Sequence, residues 1–200
     1  VRPSRGVCRG ALLRTIVTDP SAAADKPSIG VTELVVFVAA LTALNALAID
    51  MMLPALAPIG ADLDVTQAND PQLVIIVYIF AAGIAQLFYG PLADRFGRRP
   101  VLLAALGGYV VAALLSVVAA SFSLLLIARA VQGATTAAGR VVGIAVVRDL
   151  HAGRRMAQVM SMAMTVFMMV PIVAPGLGQL ILFVAPWRGL FGVLMACGVA

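Results

Sequence analysis

The sequence predicts an all-α integral membrane protein. Three observations carry that prediction: an excess of apolar residues, their arrangement in runs of spanning length, and the confinement of most charge to the joints between runs. Of 200 residues, 62% are hydrophobic and 12% are charged, and the mean hydropathy is +1.05. Soluble domains are about 45–50% apolar and about a quarter charged, so a soluble fold could not hide this much apolar surface. The runs are about 20 residues long, enough for a helix rising about 1.5 Å per residue to cross about 30 Å of hydrocarbon. The lipid bilayer is therefore the solvent and the first partner. A net charge of +5 raises nucleic acid as a partner, but the arginines sit in short joints between apolar runs, which is the pattern of membrane orientation and excludes nucleic acid.

Residues 1–30 carry Arg2, Arg5, Arg9, Arg14 and Lys26, and their one apolar patch, from Ala11 to Val17, is broken by Arg14. This reads as a basic cytoplasmic tail rather than a signal peptide. Residues 31–200 form a single transmembrane domain with five complete spans: Thr32 to Leu53, Pro71 to Tyr89, Val101 to Ala120, Leu124 to Val147 and Met156 to Val184. A sixth begins near Trp187. From Gly189 to Ala200 it rises only about 18 Å as a helix, so it reads as truncated.

Orientation follows from the joints, because Lys and Arg are retained on the cytoplasmic side. The tail holds five, the second joint holds Arg95, Arg98 and Arg99, and the fourth holds Arg148, Arg154 and Arg155, whereas the alternate joints hold only Arg188. The first joint is acidic, with Asp62, Asp64 and Asp70. Eleven basic residues against one place the N-terminus in the cytoplasm of a multi-pass protein.

Cys8 and Cys197 fall in opposite environments and are read as unpaired. His151 is the single histidine, no metal-ligand cluster is present, and no Gly-Lys-Ser/Thr loop could cradle ATP. No enzyme, metal or cofactor is expected, and work would draw on an ion gradient.

Charges inside the spans carry the most information, since each costs roughly 2.5–3.5 kcal/mol at a helix centre on insertion scales. Asp50, near the outer end of the first span, and Arg129, near the outer start of the fourth, lie at similar depth and can pair; interfacial snorkelling is the alternative. Arg140 lies about 20° round the helix from Arg129 and about 16 Å deeper, giving the fourth span one polar face suited to a water-filled cavity, with snorkelling again the alternative. Met156, Met160, Met164 and Met168 form an i, i+4 ladder on the fifth span, adaptable enough for a promiscuous binding surface, although helix packing or lipid contact is the plainer reading. Pro171 and Pro175 remove backbone donors on the outer half of that span and favour a kink. Gly139 and Gly143 read as a close-packing pair.

The most specific string is Gly90-Pro91-Leu92-Ala93-Asp94-Arg95-Phe96-Gly97-Arg98-Arg99-Pro100. Gly90 and Gly97 permit a tight turn, Asp94 can accept from Arg98 or from a neighbouring helix N-terminus, and the arginines suit headgroups. The string resembles the signature between helices two and three of the major facilitator superfamily. Arg129-Ala130-Val131-Gln132-Gly133 resembles that superfamily's helix-four motif, and Ala174-Pro175-Gly176-Leu177-Gly178 resembles the Gly-Pro motif of its antiporters, though Ala174 and Gln179 depart from it. Asp50-Met51-Met52-Leu53-Pro54-Ala55-Leu56 and Val147-Arg148-Asp149-Leu150 narrow the likeness to bicyclomycin-resistance (Bcr/CflA) type drug exporters.

The resemblance implies the six-helix N-terminal half of a twelve-span fold, with a missing C-terminal six-helix half as partner and substrate bound between halves near the midplane. It implies export of small amphipathic compounds from a bacterial inner membrane by proton antiport. Asp50 and Arg129 would couple protons. Gln132, Arg140, Met164 and Met168 would line the cavity. Gly90, Asp94, Arg95, Gly97, Arg98, Arg99 and Asp149 would form a cytoplasmic gate, and Pro171, Pro175 and Gly178 the antiporter helix motif. A six-helix assembly partner or channel-like protein, a carrier of another substrate class, and a membrane-embedded enzyme are the competing readings.

Overall fold

The computed structural model describes residues 31–65, 67, 69–150 and 153–199; the basic tail with Cys8, and His151, lie outside them. Every regular element among the described residues is a helix: α1 (Val31–Asp50), a 3-10 turn (Leu53–Ala55), α2 (Leu56–Asp62), a second 3-10 turn (Asp70–Gln72), α3 (Leu73–Phe96), α4 (Arg98–Val117), α5 (Phe122–Leu150), α6 (Arg154–Val184) and α7 (Arg188–Val199). Five helices are long and apolar enough to cross a membrane, and α7 is a shorter apolar helix. The expected all-α membrane architecture is therefore present.

Element ends follow local chemistry. α1 stops at Asp50, earlier than expected, because Met51 N–H still donates to Leu47 O while Met52 N–H steps back to Ile49 O. Pro54 then opens the 3-10 turn, where a missing N–H costs nothing. Gly90 is not part of a turn, a correction to the sequence reading: α3 runs on through Pro91 to Phe96. The turn belongs to Gly97 alone, whose φ of 88° suits glycine. α4 then starts at Arg98, three residues before expectation, and Pro100 sits in its first turn, where backbone donors have no intrahelical partner. Ser121 Oγ accepts from Leu124 N–H at 3.3 Å and caps α5. α6 continues through both Pro171 and Pro175.

The packing repeats itself. α3 lies along α5, and α1 lies along α6; α4 packs on α5, and α7 touches α1; α4 and α7 pack on each other. Exchanging α1, α3, α4 for α5, α6, α7 maps these pairings onto one another, as two inverted three-helix repeats require. Glycine sets the closest approaches. A Cβ on Gly133 would run into the Tyr78 carbonyl of α3, and one on Gly178 would lie 2.6 Å from Met51 O. A Cβ on Gly139 would meet Leu41 at 3.4 Å and one on Gly143 would meet it at 3.5 Å, ordinary contact that does not demand glycine. The main core joins Met51, Met52, Ile59, Val74, Tyr78, Tyr109, Trp187, Leu190, Phe191 and Leu194. α3 and α6 are the least enclosed helices, with 17% and 11% of their apolar windows buried.

Candidate functional site

Arg129 is the largest fully buried side chain. Its Nε donates to Val74 O at 3.1 Å, one terminal nitrogen to Gln132 Oε1 at 2.8 Å and the other to Ala48 O at 2.8 Å. The Ala48 carbonyl is available because the bonding shift at Met52 skips it, and it lies at the negative end of the α1 dipole. The guanidinium also faces the Tyr78 ring at 4.4 Å and the Phe191 ring at 5.8 Å. One side chain thus ties α1, α3, α5 and α7 together with bonds strengthened by its charge.

This differs from the sequence reading in two respects. Asp50 and Arg129 lie at similar depth, only Ile49 separating Asp50 from the accepting Ala48, yet no ion pair joins them; helix carbonyls and an aromatic face take the charge instead. Gln132 does not line a cavity but is buried, accepting from Arg129 one turn away, with Nε2 left without a partner among the described residues. The polar face of α5 is therefore divided: Arg129 and Gln132 inside the bundle, Arg140 exposed beyond them.

Arg140 lines a pocket of about 100 Å³ with Thr42, Asn45, Met164 and Phe167. These positions lie about 15–21 Å along their helices from the arginine-rich end, close to the middle of a 30 Å hydrocarbon layer, roughly speaking. Tyr78 Oη donates to Asn45 Oδ1 at 2.9 Å, so the Arg129 node and the pocket share Tyr78. Met164 reaches the pocket as expected, whereas Met168 is 70% exposed and does not line it. Met156 and Met160 pack instead against Leu34, Val38 and Val147.

At the arginine-rich end, Arg98 pairs with Asp149 and donates to Ala145 O at 2.7 Å, fastening the start of α4 to the end of α5. Asp94, the expected acceptor, is exposed and lines a cleft of about 400 Å³ with Gly90, Arg98 and Arg148. The ladder of positions explains this: Arg98 already belongs to α4, facing α5, while Asp94 belongs to the last turn of α3. Arg95 stacks on Phe96 at 5.4 Å, and Arg99 is exposed.

A cluster that sequence reasoning missed sits at the opposite end. Asp62 Oδ2 accepts from Trp187 Nε1 at 3.0 Å and from Arg188, whose second nitrogen donates to Ala119 O at 3.0 Å and whose guanidinium lies 4.3 Å from the Trp187 ring. Asp62, Ala119 just past α4 and the start of α7 are thereby clamped. The available signal was the single basic residue in the otherwise acidic or neutral outer joints.

The profile of the Major Facilitator Superfamily matches residues 38–200. The chain belongs to the Major Facilitator Superfamily. It is 39% identical over 163 residues to multidrug resistance protein MdtL of Citrobacter koseri, and 36% identical over the same length to proteins of that name from Escherichia coli and Escherichia fergusonii. Each alignment covers 80% of this chain and 41% of the relative, so the chain spans less than half the length of the relatives it matches. In this superfamily chain, the helix-four motif builds the buried Arg129 node, the joint motif supplies Gly97 and Arg98, and Gly178 of the Gly-Pro motif lets α6 lie against Met51 and Pro54.

Proposed function

We propose that the chain forms the N-terminal half of a proton-coupled exporter of small amphipathic compounds in a bacterial inner membrane, its arginine-rich end in the cytoplasm. The observation that carries this reading is the midplane pocket of Thr42, Asn45, Arg140, Met164 and Phe167, where polar and polarizable side chains meet between α1, α5 and α6. Substrate sites of such transporters lie near the midplane between halves. The relatives' names as multidrug resistance proteins support the substrate class. α3 and α6, left open on their outer faces, offer the surface on which a second six-helix half would dock.

Asp50 is the proton-coupling carboxylate in this reading, and Arg129 supports it by holding the adjacent end of α1 rather than by direct pairing. Energy comes from the proton gradient, with no cofactor. The experiment uses liposomes holding the transporter completed with a second six-helix half. Asp50→Asn should abolish proton-driven accumulation of substrate while passive exchange persists. Concentrative transport with unchanged proton dependence would move coupling elsewhere. Proton-driven uptake by the 200-residue chain alone would favour a six-helix functional unit instead.

A further inference from the structure

Apart from Glu33 at the very start of the first span, three charged residues lie inside the spans, and they meet different fates. Arg129 is enclosed with three hydrogen bonds, and Asp50 lies at the last residue of α1, near the outer end. Arg140 alone stands exposed within the hydrocarbon layer, about 10 Å from the arginine-rich end of its span, with no hydrogen-bond or ion-pair partner among the described residues. A charge at that depth is costly unless a water-filled cavity or an opposite charge receives it. No carboxylate lines its pocket: the other lining residues are Thr42, Asn45, Met164 and Phe167.

The neutral groups around it are aligned for the same purpose. Tyr78 Oη donates to Asn45 Oδ1, which fixes the amide so that its Nδ2 hydrogens are the unused edge. Thr42 Oγ1 spends its own proton on the carbonyls of its preceding turn, at 2.9 Å to Val38 O and 3.0 Å to Ala39 O. The pocket therefore offers donors from a guanidinium and an amide, with a thioether and an aromatic ring forming the apolar wall. A guanidinium fork matches a carboxylate or sulfonate in two parallel hydrogen bonds.

Resting on the transport reading above, we infer that Arg140 and Asn45 form an anion-binding subsite that selects amphipathic organic acids. The acid group sits on the Arg140 fork and the Asn45 amide, and the apolar body lies against Met164 and Phe167. The volume of about 100 Å³ holds the head group and the first carbons, with the remainder extending through the open mouth. Lipophilic cations are disfavoured there by like-charge repulsion.

The test uses the transporter completed with a second six-helix half, in nanodiscs of zwitterionic phosphatidylcholine, titrated with three fluorescent probes sharing a dansyl group: the free carboxylate dansylglycine, its neutral methyl ester, and a trimethylammonium counterpart. The carboxylate should bind about tenfold tighter than the ammonium, the scale of one charge-assisted contact. Arg140→Gln should erase that preference while leaving the ester's affinity unchanged, Arg140→Lys should keep part of it, and Arg154→Gln, on the exposed end of α6, should keep all of it. An anion preference that survives Arg140→Gln, or tighter binding of the ammonium, overturns the inference. Ester binding with no preference between acid and cation overturns it while leaving the transport reading standing. Failure of all three probes to bind overturns both.

Discussion

Replacing Gly133 by alanine adds one methyl group at the tightest contact between α5 and α3. The new Cβ would lie 2.9 Å from the Tyr78 carbonyl carbon and 3.0 Å from its Cα, and closer still to the carbonyl oxygen. All three atoms are backbone, so no rotamer change relieves the clash, and α3 must retreat by more than about 1 Å to bring the carbonyl oxygen to ordinary contact. Overpacking of this kind costs about 1–3 kcal/mol. The retreat also stretches the Arg129 bond to Val74 O, already 3.1 Å, past useful length. A hydrogen bond to a charged group contributes about 1.5–3 kcal/mol, so the total is about 3–5 kcal/mol. For a chain of this size that lowers the melting temperature by on the order of 10 °C. Gly83, on the same helix, has nothing within 4 Å of its added Cβ. Gly83→Ala should therefore stabilise α3 by up to about 1 kcal/mol through helix propensity. Thermal loss of far-ultraviolet ellipticity in nanodiscs measures both. Equal melting of Gly133→Ala and wild type within about 2 °C, or an equal loss from Gly83→Ala, would refute the argument from close approach.

Two further substitutions test the ends of the bundle. Asp62→Asn removes the charge that holds Arg188 beside Trp187, the single tryptophan, so emission and quencher access of Trp187 should change in this variant and in Arg188→Gln alike; an unchanged spectrum counts against the clamp. Asp149→Asn removes the ion pair and leaves Arg98 only its bond to Ala145 O, whereas Asp94→Asn touches neither, so spin-label distances between the start of α4 and the end of α5 should broaden only in the first; because the partners are 28% and 53% exposed, stability should change by less than about 1 kcal/mol.

The membrane class and the number of spans were legible in the sequence because each rests on a local rule, whereas the short α2 and the two 3-10 turns were not foreseen. Span length, exclusion of charge from lipid, and retention of arginine in alternate joints need no knowledge of which helix touches which. Arg140 could be placed at a cavity by depth and helical phase alone, and the structure puts it with Met164 of the fifth span.

What the tertiary structure decided is partnership. Depth set Asp50 and Arg129 level, but only the packing of α1, α3 and α7 around α5 shows that carbonyls and the Tyr78 ring receive the guanidinium, and that Gln132 is enclosed with it. Spacing put Asp94 within reach of Arg98, yet the turn at Gly97 assigns the two to different helices and turns Arg98 toward Asp149. The clamp joining Asp62 to Trp187 and Arg188 spans 125 and 126 residues of sequence. Hydropathy ranks residues by their cost in lipid, and periodicity by their face; neither encodes the neighbour across a helix interface, which exists only once the bundle has closed.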